Sequence, residues 1–152
     1  MFGLIWSKDA DCIRVKDVNL DMKANTKRSI LASLNSVFDP FGVCLPIFNH
    51  ARLFLHKLQL DKDLSWDCPL STELQIEWIK IVKQVNNSPV FNIERSCGVR
   101  TDTYDLICFT DASRWFYRCV LYFKNLSTNK VSFILAKNKI INEQLNKNQC
   151  QC

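Results

Sequence analysis

The first part of the chain carries apolar residues at helical spacing. One stripe opens this part, and similar stripes follow within 47–60 and 72–86. Residues three and four apart share a helix face, so each stripe marks the buried side of an amphipathic helix. The pattern predicts helices over 26–38, 47–60 and 72–86. The first stripe consists of Ile30, Leu31, Leu34, Val37 and Phe38.

Capping and breaking residues predict where the first helix begins and ends. Asn25 or Thr26 can accept a hydrogen bond from an unpaired backbone N–H at its start. Asp39-Pro40 ends it, because proline disfavours helical geometry in the residue before it. With Gly42 in fourth place, 39–42 fits a type I turn. By this pattern alone the first two helices form a hairpin that serves as a packing unit.

Shorter apolar runs predict strands. Phe2–Trp6 and Cys12–Val15 flank a polar turn, which favours a β-hairpin with Trp6 in the core. After a connector over 90–100, which has extended character and marks a domain boundary, β-branched and aromatic residues predict antiparallel strands. These strands are expected near 105–111, 115–124 and 131–136, and the polar tail from Asn138 is expected to fray. The fold class is therefore α+β.

Composition limits the class of protein. A chain of 152 residues with 47% hydrophobic and 23% charged residues suits one globular domain or slightly more. Its 8 cysteines are scattered without a Cys-x-x-Cys pair, and neither a secretory signal nor a membrane-spanning segment is visible. These features favour a reduced, intracellular protein, cytoplasmic or nuclear, without a membrane partner.

A formal charge of +5 is compatible with nucleic-acid binding. Lys16, Lys23, Lys27 and Arg28 precede or open the first helix. Together they could form a basic edge that contacts phosphates, which would give affinity without sequence specificity. The alternative is an ordinary solvated polar face.

Four motifs resemble, in the right order, the polyproteins of BEL/Pao retrotransposons. They are the first helix, with its Thr26–Leu31 opening and Phe38–Gly42 close, the helix from Ile47, and the segments Trp66–Leu70 and Phe109–Ser113. The resemblance implies a reverse-transcriptase fragment whose parent is an RNA-directed DNA polymerase with ribonuclease H. It assigns a primer-grip hairpin and thumb-like helices to 1–66, a connection helix and linker to 67–100, and an incomplete ribonuclease H-like sheet to 101–152.

Asp111 resembles the first carboxylate of the ribonuclease H fold, which binds Mg²⁺ in an intact parent. Two metal ions flanking a scissile phosphate need several carboxylates. The next acidic residue, Glu143, is out of register, and Arg118 stands where the family tends to have glycine. We therefore expect an incomplete site without a cofactor. The alternative is that Asp111 is a turn former at a strand end.

The resemblance implies that this chain binds RNA–DNA or DNA duplexes non-specifically, beside the remainder of the polyprotein. A non-catalytic scaffold for protein interactions is the alternative. A third possibility comes from the name Pao retrotransposon peptidase, which is attached to this region. Retroviral-type peptidases need an Asp-Thr/Ser-Gly loop so that two aspartates share a proton. Asp111-Ala112-Ser113 lacks that glycine and does not support peptidase chemistry.

Overall fold

The computed structural model describes residues 3–16, 18–89, 91–99 and 101–141. The chain divides into two compact units, Met1–Ser96 and Cys97–Cys152. Within the described residues, three helices and two three-stranded antiparallel sheets confirm the α+β class. None of the described helices is long and apolar enough to cross a membrane. The three-part division at 66 and 100 stays a prediction.

The first unit combines the helices with a small sheet. Its strands are β1 (Leu4–Ser7), β2 (Cys12–Val15) and β3 (Asn92–Glu94), paired antiparallel in that order. β1 and β2 confirm the N-terminal hairpin. β3 lies in the segment predicted only as an extended connector, and it pairs with β2 through Ile13 and Ile93. The helices are α1 (Lys27–Asn35), α2 (Leu45–Leu60) and α3 (Thr72–Asn86).

Local hydrogen bonds explain the ends of α1. Thr26 caps its start, because the Thr26 hydroxyl accepts from the Ser29 N–H and the Ser29 hydroxyl oxygen accepts from the Thr26 N–H. The helix ends at Asn35, three residues earlier than predicted. Both the Ser36 N–H and its hydroxyl donate to the Ser33 carbonyl, which competes with continuation of the helix.

The turn after α1 starts the next helix. The Gly42 N–H donates to the Asp39 carbonyl at 3.4 Å, which is the hydrogen bond that often closes a type I turn, and Gly42 has a φ of 74°. The Asp39 carboxylate accepts from the backbone N–H groups of Val43 and Cys44 at 3.0 and 2.8 Å. It thus satisfies the N–H of the capping residue Cys44 and that of the residue before it, and α2 begins two residues earlier than predicted.

Trp78 of α3 lies at the centre of the first unit's core. Its side chain is fully buried and stacks on Phe54 of α2 with a centroid distance of 5.7 Å. Its indole N–H donates to the Asp21 carbonyl at 3.0 Å, so its polar atom is satisfied. The Asn86 side chain exchanges two hydrogen bonds with the Leu20 backbone and fixes the loop before α1 onto α3.

In its described residues, the second unit forms a single antiparallel sheet. β4 (Tyr104–Ala112), β5 (Phe116–Asn125) and β6 (Val131–Ile140) pair in sequence order and confirm the three predicted strands. The prediction that the tail frays from Asn138 was wrong for the first three residues, because β6 runs to Ile140. The rest of that tail, including Glu143, lies outside the described residues.

Both faces of this sheet carry apolar side chains. Residues that pair across strands share a face, so Phe109, Val120 and Ala136 lie on one face, and Cys108, Leu121 and Leu135 on the other. Two of the largest apolar side chains on β4 remain open: Phe109 is 62% exposed and Leu106 is 61% exposed.

Candidate nucleic-acid interface

Lys27 does not join the exposed basic edge that the sequence predicts. Its side chain is only 4% exposed, and its ammonium donates to the carbonyls of Asp61 and Leu64 at 2.7 and 2.6 Å. Asp61 is the residue that caps the C-terminal end of α2. A buried cation here donates hydrogen bonds to otherwise unpaired carbonyls, and the negative end of the helix dipole stabilises its charge. In this structure the Lys27 ammonium therefore has a structural role, in holding the segment that follows α2.

The other three predicted contacts are exposed and lie on separate segments. Lys16 follows β2, Lys23 lies in the loop before α1, and Arg28 is in the first turn of α1. Because α1 begins at Lys27, Lys23 lies outside the helix and does not share a helix face with Lys27.

Arg28 is engaged by a carboxylate. Its guanidinium makes a bidentate contact with Asp67 at 2.6 and 3.0 Å. This contact raises the pKa of Arg28 and lowers the pKa of Asp67, chiefly through the hydrogen bonds that they share. Both side chains are about two-thirds exposed, so the pair remains accessible to solvent.

Trp6 departs from its predicted place in the core. It is 52% exposed, and its indole N–H donates to Asp11 at 3.2 Å. Lys8 and Arg95 lie over its ring, 5.8 and 5.5 Å from the centroid. Arg95 also binds Asp11 bidentately and lowers the pKa of that carboxyl. Sequence reasoning missed Arg95, because only the pairing of β2 with β3 brings it to the hairpin.

Asp111 is exposed near the C-terminal end of β4, which forms one edge of the sheet. It pairs across the strands with Arg118, and Arg118 pairs in turn with Asn138. A carboxylate opposite a guanidinium is a favourable cross-strand pair. Arg118 does not disturb β5, because the shift in register falls between Leu121 and Tyr122.

Among the described residues, the surroundings of Asp111 do not fit a magnesium site. Mg²⁺ prefers an octahedral set of oxygen ligands, and two-metal sites need several carboxylates. On the described sheet the side chains that follow Asp111 across the strands are a guanidinium and an amide. Among the described residues, no three or more His, Cys, Asp or Glu side chains come together in a group that could hold a metal ion.

The opposite face of the same end of the sheet is basic and aromatic. Tyr117 pairs with Lys139, and Cys119 pairs with Lys137, so these side chains share a face. A hollow of about 640 Å³ lies at this end of the sheet and is lined by residues of both faces. It is lined by Thr110, Asp111, Ala112, Tyr117, Arg118, Cys119, Lys137, Asn138 and Lys139. Sequence reasoning passed over this face, although basic residues spaced by two along a strand were a usable signal.

Three helices followed by an antiparallel sheet, with an aspartate on its first strand, are compatible with an RNase H-like domain. Residues 26–148 match the family model described as the Pao retrotransposon-like RNaseH-like domain, and the chain belongs to that family. No curated protein and no solved structure matches the chain.

The matched range begins at the residue that caps α1 and continues into the second unit. It thus includes α1, α2 and α3, which the sequence-based interpretation assigned to thumb and connection. The N-terminal hairpin lies before the matched range.

Proposed function

We propose that this chain binds nucleic-acid duplexes non-specifically in a Pao-type retrotransposon polyprotein and does not itself cleave them. The observation that carries the proposal is the distribution of charge in a member of an RNase H-like family. Between Ala112 and Ile141 the sequence has six basic residues and no acidic one. Such a stretch attracts a phosphate backbone without reading its sequence. Lys16, Lys23 and Arg28 add exposed cations in the first unit.

A duplex-binding measurement tests the first half of this proposal. Fluorescence anisotropy with labelled RNA–DNA and DNA duplexes of unrelated sequence should give similar affinities, with Kd roughly 10⁻⁴ to 10⁻⁶ M at physiological salt. The affinity should fall steeply as salt rises, because binding releases counterions. An affinity that is the same at low and high salt would contradict phosphate binding.

A nuclease assay tests the second half. The chain should not cleave an RNA–DNA hybrid in Mg²⁺, because a single carboxylate leaves that ion mostly hydrated. Joining the chain to the catalytic segment of an active relative should create activity that Asp111→Asn abolishes, if Asp111 descends from the first metal ligand. A folded, active fusion that is indifferent to Asp111→Asn would refute that role. Cleavage by the chain alone would refute the non-catalytic proposal.

A protein-interaction scaffold is the second candidate, and the sheet of the second unit favours it. Leu106 and Phe109 are more than half exposed on opposite faces of β4. An antiparallel sheet with one face in water usually carries polar residues on that face. Here each face exposes a large apolar side chain instead. Association through these faces would involve apolar contact, and it would therefore persist at high salt while phosphate binding weakens.

A further inference from the structure

One end of the second unit's sheet presents cations together with aromatic rings. The Tyr117 surface, as we call it, consists of Arg114, Trp115, Tyr117, Lys137 and Lys139. Tyr117 is 48% exposed and Trp115 is 46% exposed. Both lysines and both arginines of this end, Arg114 and Arg118, are exposed as well.

The strand pairing orders these groups. Tyr117 lies directly across from Lys139 and diagonally from Lys137, on the same face. The two lysines are two residues apart on β6, which places them about 7 Å apart along the strand. A flat ring is thus flanked by a short row of ammonium groups, beside the hollow described above.

The adjoining turn adds a second aromatic group. The Ser113 hydroxyl accepts from the N–H groups of Trp115 and Phe116, and the Ile141 N–H donates to the Trp115 carbonyl. The guanidinium of Arg114 lies 4.9 Å from the centre of the Trp115 ring. These contacts hold the turn at the end of β6 that carries Lys139.

We propose that the Tyr117 surface binds single-stranded nucleic acid, with bases stacked on Tyr117 and Trp115 and phosphates on Lys137 and Lys139. This inference rests on the proposed function, which is nucleic-acid binding by this chain, and it adds single strands to the duplexes proposed above. The positive charge of the surface complements a polyanion. Aromatic rings beside cations are the combination that binds single strands without sequence preference.

The exposed aromatic rings favour a single strand over a duplex as the occupant of this surface. In a duplex both faces of each base are covered by neighbouring bases, so an aromatic side chain on the protein surface gains little from it. In a single strand the base faces are open to stacking. An apolar protein segment would leave the lysines without anionic partners, so the charge favours nucleic acid over such a partner.

The test measures single-strand and duplex binding of the full chain side by side. The probes are a labelled oligothymidylate, which has no internal pairing, and a labelled DNA hairpin duplex. Tyr117→Ala should weaken oligothymidylate binding about 5- to 150-fold, the range for losing one stacked base. Tyr117→Phe should retain it, because the ring and not the hydroxyl makes the contact. Duplex affinity should change less than twofold in both variants.

Charge variants provide a matched comparison. Lys137→Gln with Lys139→Gln should reduce the slope of log affinity against log salt for oligothymidylate by about 1.4, since each phosphate contact to a single strand contributes about 0.7. Lys130→Gln removes one charge at the opposite end of the sheet and should leave the slope unchanged. Circular dichroism should show the same fold for every variant.

The outcomes are distinguishable. Retained oligothymidylate binding in folded Tyr117→Ala, or equal losses for Tyr117→Ala and Tyr117→Phe, would overturn the inference and leave duplex binding intact. Salt-insensitive binding of oligothymidylate would also overturn it. Absence of binding to both probes would overturn this inference and the proposed function together.

Discussion

The two units of this chain bury their apolar residues in different ways. In Met1–Ser96, three helices enclose fully buried side chains such as Trp78, Ile30 and Val82. In Cys97–Cys152, Phe116 and Ala136 are the buried apolar residues of the described sheet, while Phe109 and Leu106 are largely open. A helical unit closes its own core, whereas a single sheet with two apolar faces leaves both to be covered by something else.

The units also differ in charge. Met1–Ser96 has twelve Lys and Arg against eleven Asp and Glu, whereas Cys97–Cys152 has eight against four. Most of the net charge of +5 therefore belongs to the second unit. The unit with the poorer core is the one whose composition suits a polyanionic partner. The larger net charge and the better closed core thus belong to different units.

Truncating the core should have the largest effect. Trp78→Ala should lower the free energy of unfolding by about 3–5 kcal/mol, because it leaves a large cavity and an unpaired Asp21 carbonyl. Phe109→Ala in the second unit should cost far less, since that ring is mostly exposed. Urea denaturation followed by circular dichroism measures both. Equal losses would contradict the contrast between the units.

Lys27→Met should have the next largest effect. It leaves the carbonyls of Asp61 and Leu64 without their donor, at a cost of about 1–3 kcal/mol. Lys23→Met is the control, because an exposed lysine should change stability by less than about 0.5 kcal/mol. Thermal unfolding of both variants gives the comparison. If Lys27→Met is as stable as the control but weakens duplex binding, Lys27 is a phosphate contact after all.

The thiols of the two units should react with an alkylating reagent at different rates. Burial, reinforced by Asp39, raises the pKa of Cys44 to about 12, so its reactive thiolate is scarce at pH 8. The pKa of Cys108 is also raised, first by desolvation and then by Cys119, but this thiol is exposed. Iodoacetamide labelling followed by peptide mass spectrometry should modify Cys108 well before Cys44. Simultaneous labelling would show that the buried Cys44 thiol reacts as readily as the exposed Cys108 thiol, against the expected closure of the helical core.

The raised pKa of Cys44 also predicts how stability depends on pH. Because Cys44 holds its proton more tightly in the folded chain than in the unfolded chain, its contribution to stability is complete below pH 9. That contribution is lost as the pH rises from about 9 towards 12. Cys44→Ala should flatten this part of the stability profile, as urea midpoints measured across that range would show.

The smallest effect should come from Arg28→Gln. Asp67, which loses its partner in this variant, has a lowered pKa in the original chain. The pair therefore contributes only above the unfolded pKa of that carboxyl, and the contribution disappears as the pH falls below about 3.8. Exposed pairs of this kind contribute little. The urea midpoints of the variant and the original chain should therefore differ slightly at pH 7 and converge in acid. A difference that persists in acid would assign Arg28 another role.

Local signals predicted much of this fold. The span of 72–86 predicted from the apolar stripe agrees with the observed α3, whose start is capped by Ser71. The strands after Tyr104 were found because their β-rich runs are separated by polar turns. Long-range pairing could not be predicted in the same way. Nothing near Lys27 in sequence indicates that the carbonyls after α2 will surround it, and nothing near Trp6 indicates Arg95.

The candidate site was predicted less well than the fold. Asp111 was placed correctly at the end of its strand, but the role of its neighbours depends on which residues face each other across β4, β5 and β6. A register cannot be read from one strand alone, because a shift by one residue reverses every side chain. The separation of Arg118 from Lys137 and Lys139 onto opposite faces therefore needed the structure.

The pairing of β2 with β3 has a consequence for the order of folding. It joins Ile13 to Ile93, whereas β4, β5 and β6 are linked by short turns. Contacts between distant residues form slowly, because a long loop must close first. During synthesis the N-terminal hairpin therefore cannot pair with β3 until all three helices have left the ribosome. The C-terminal hairpins, in contrast, can form as soon as each one emerges.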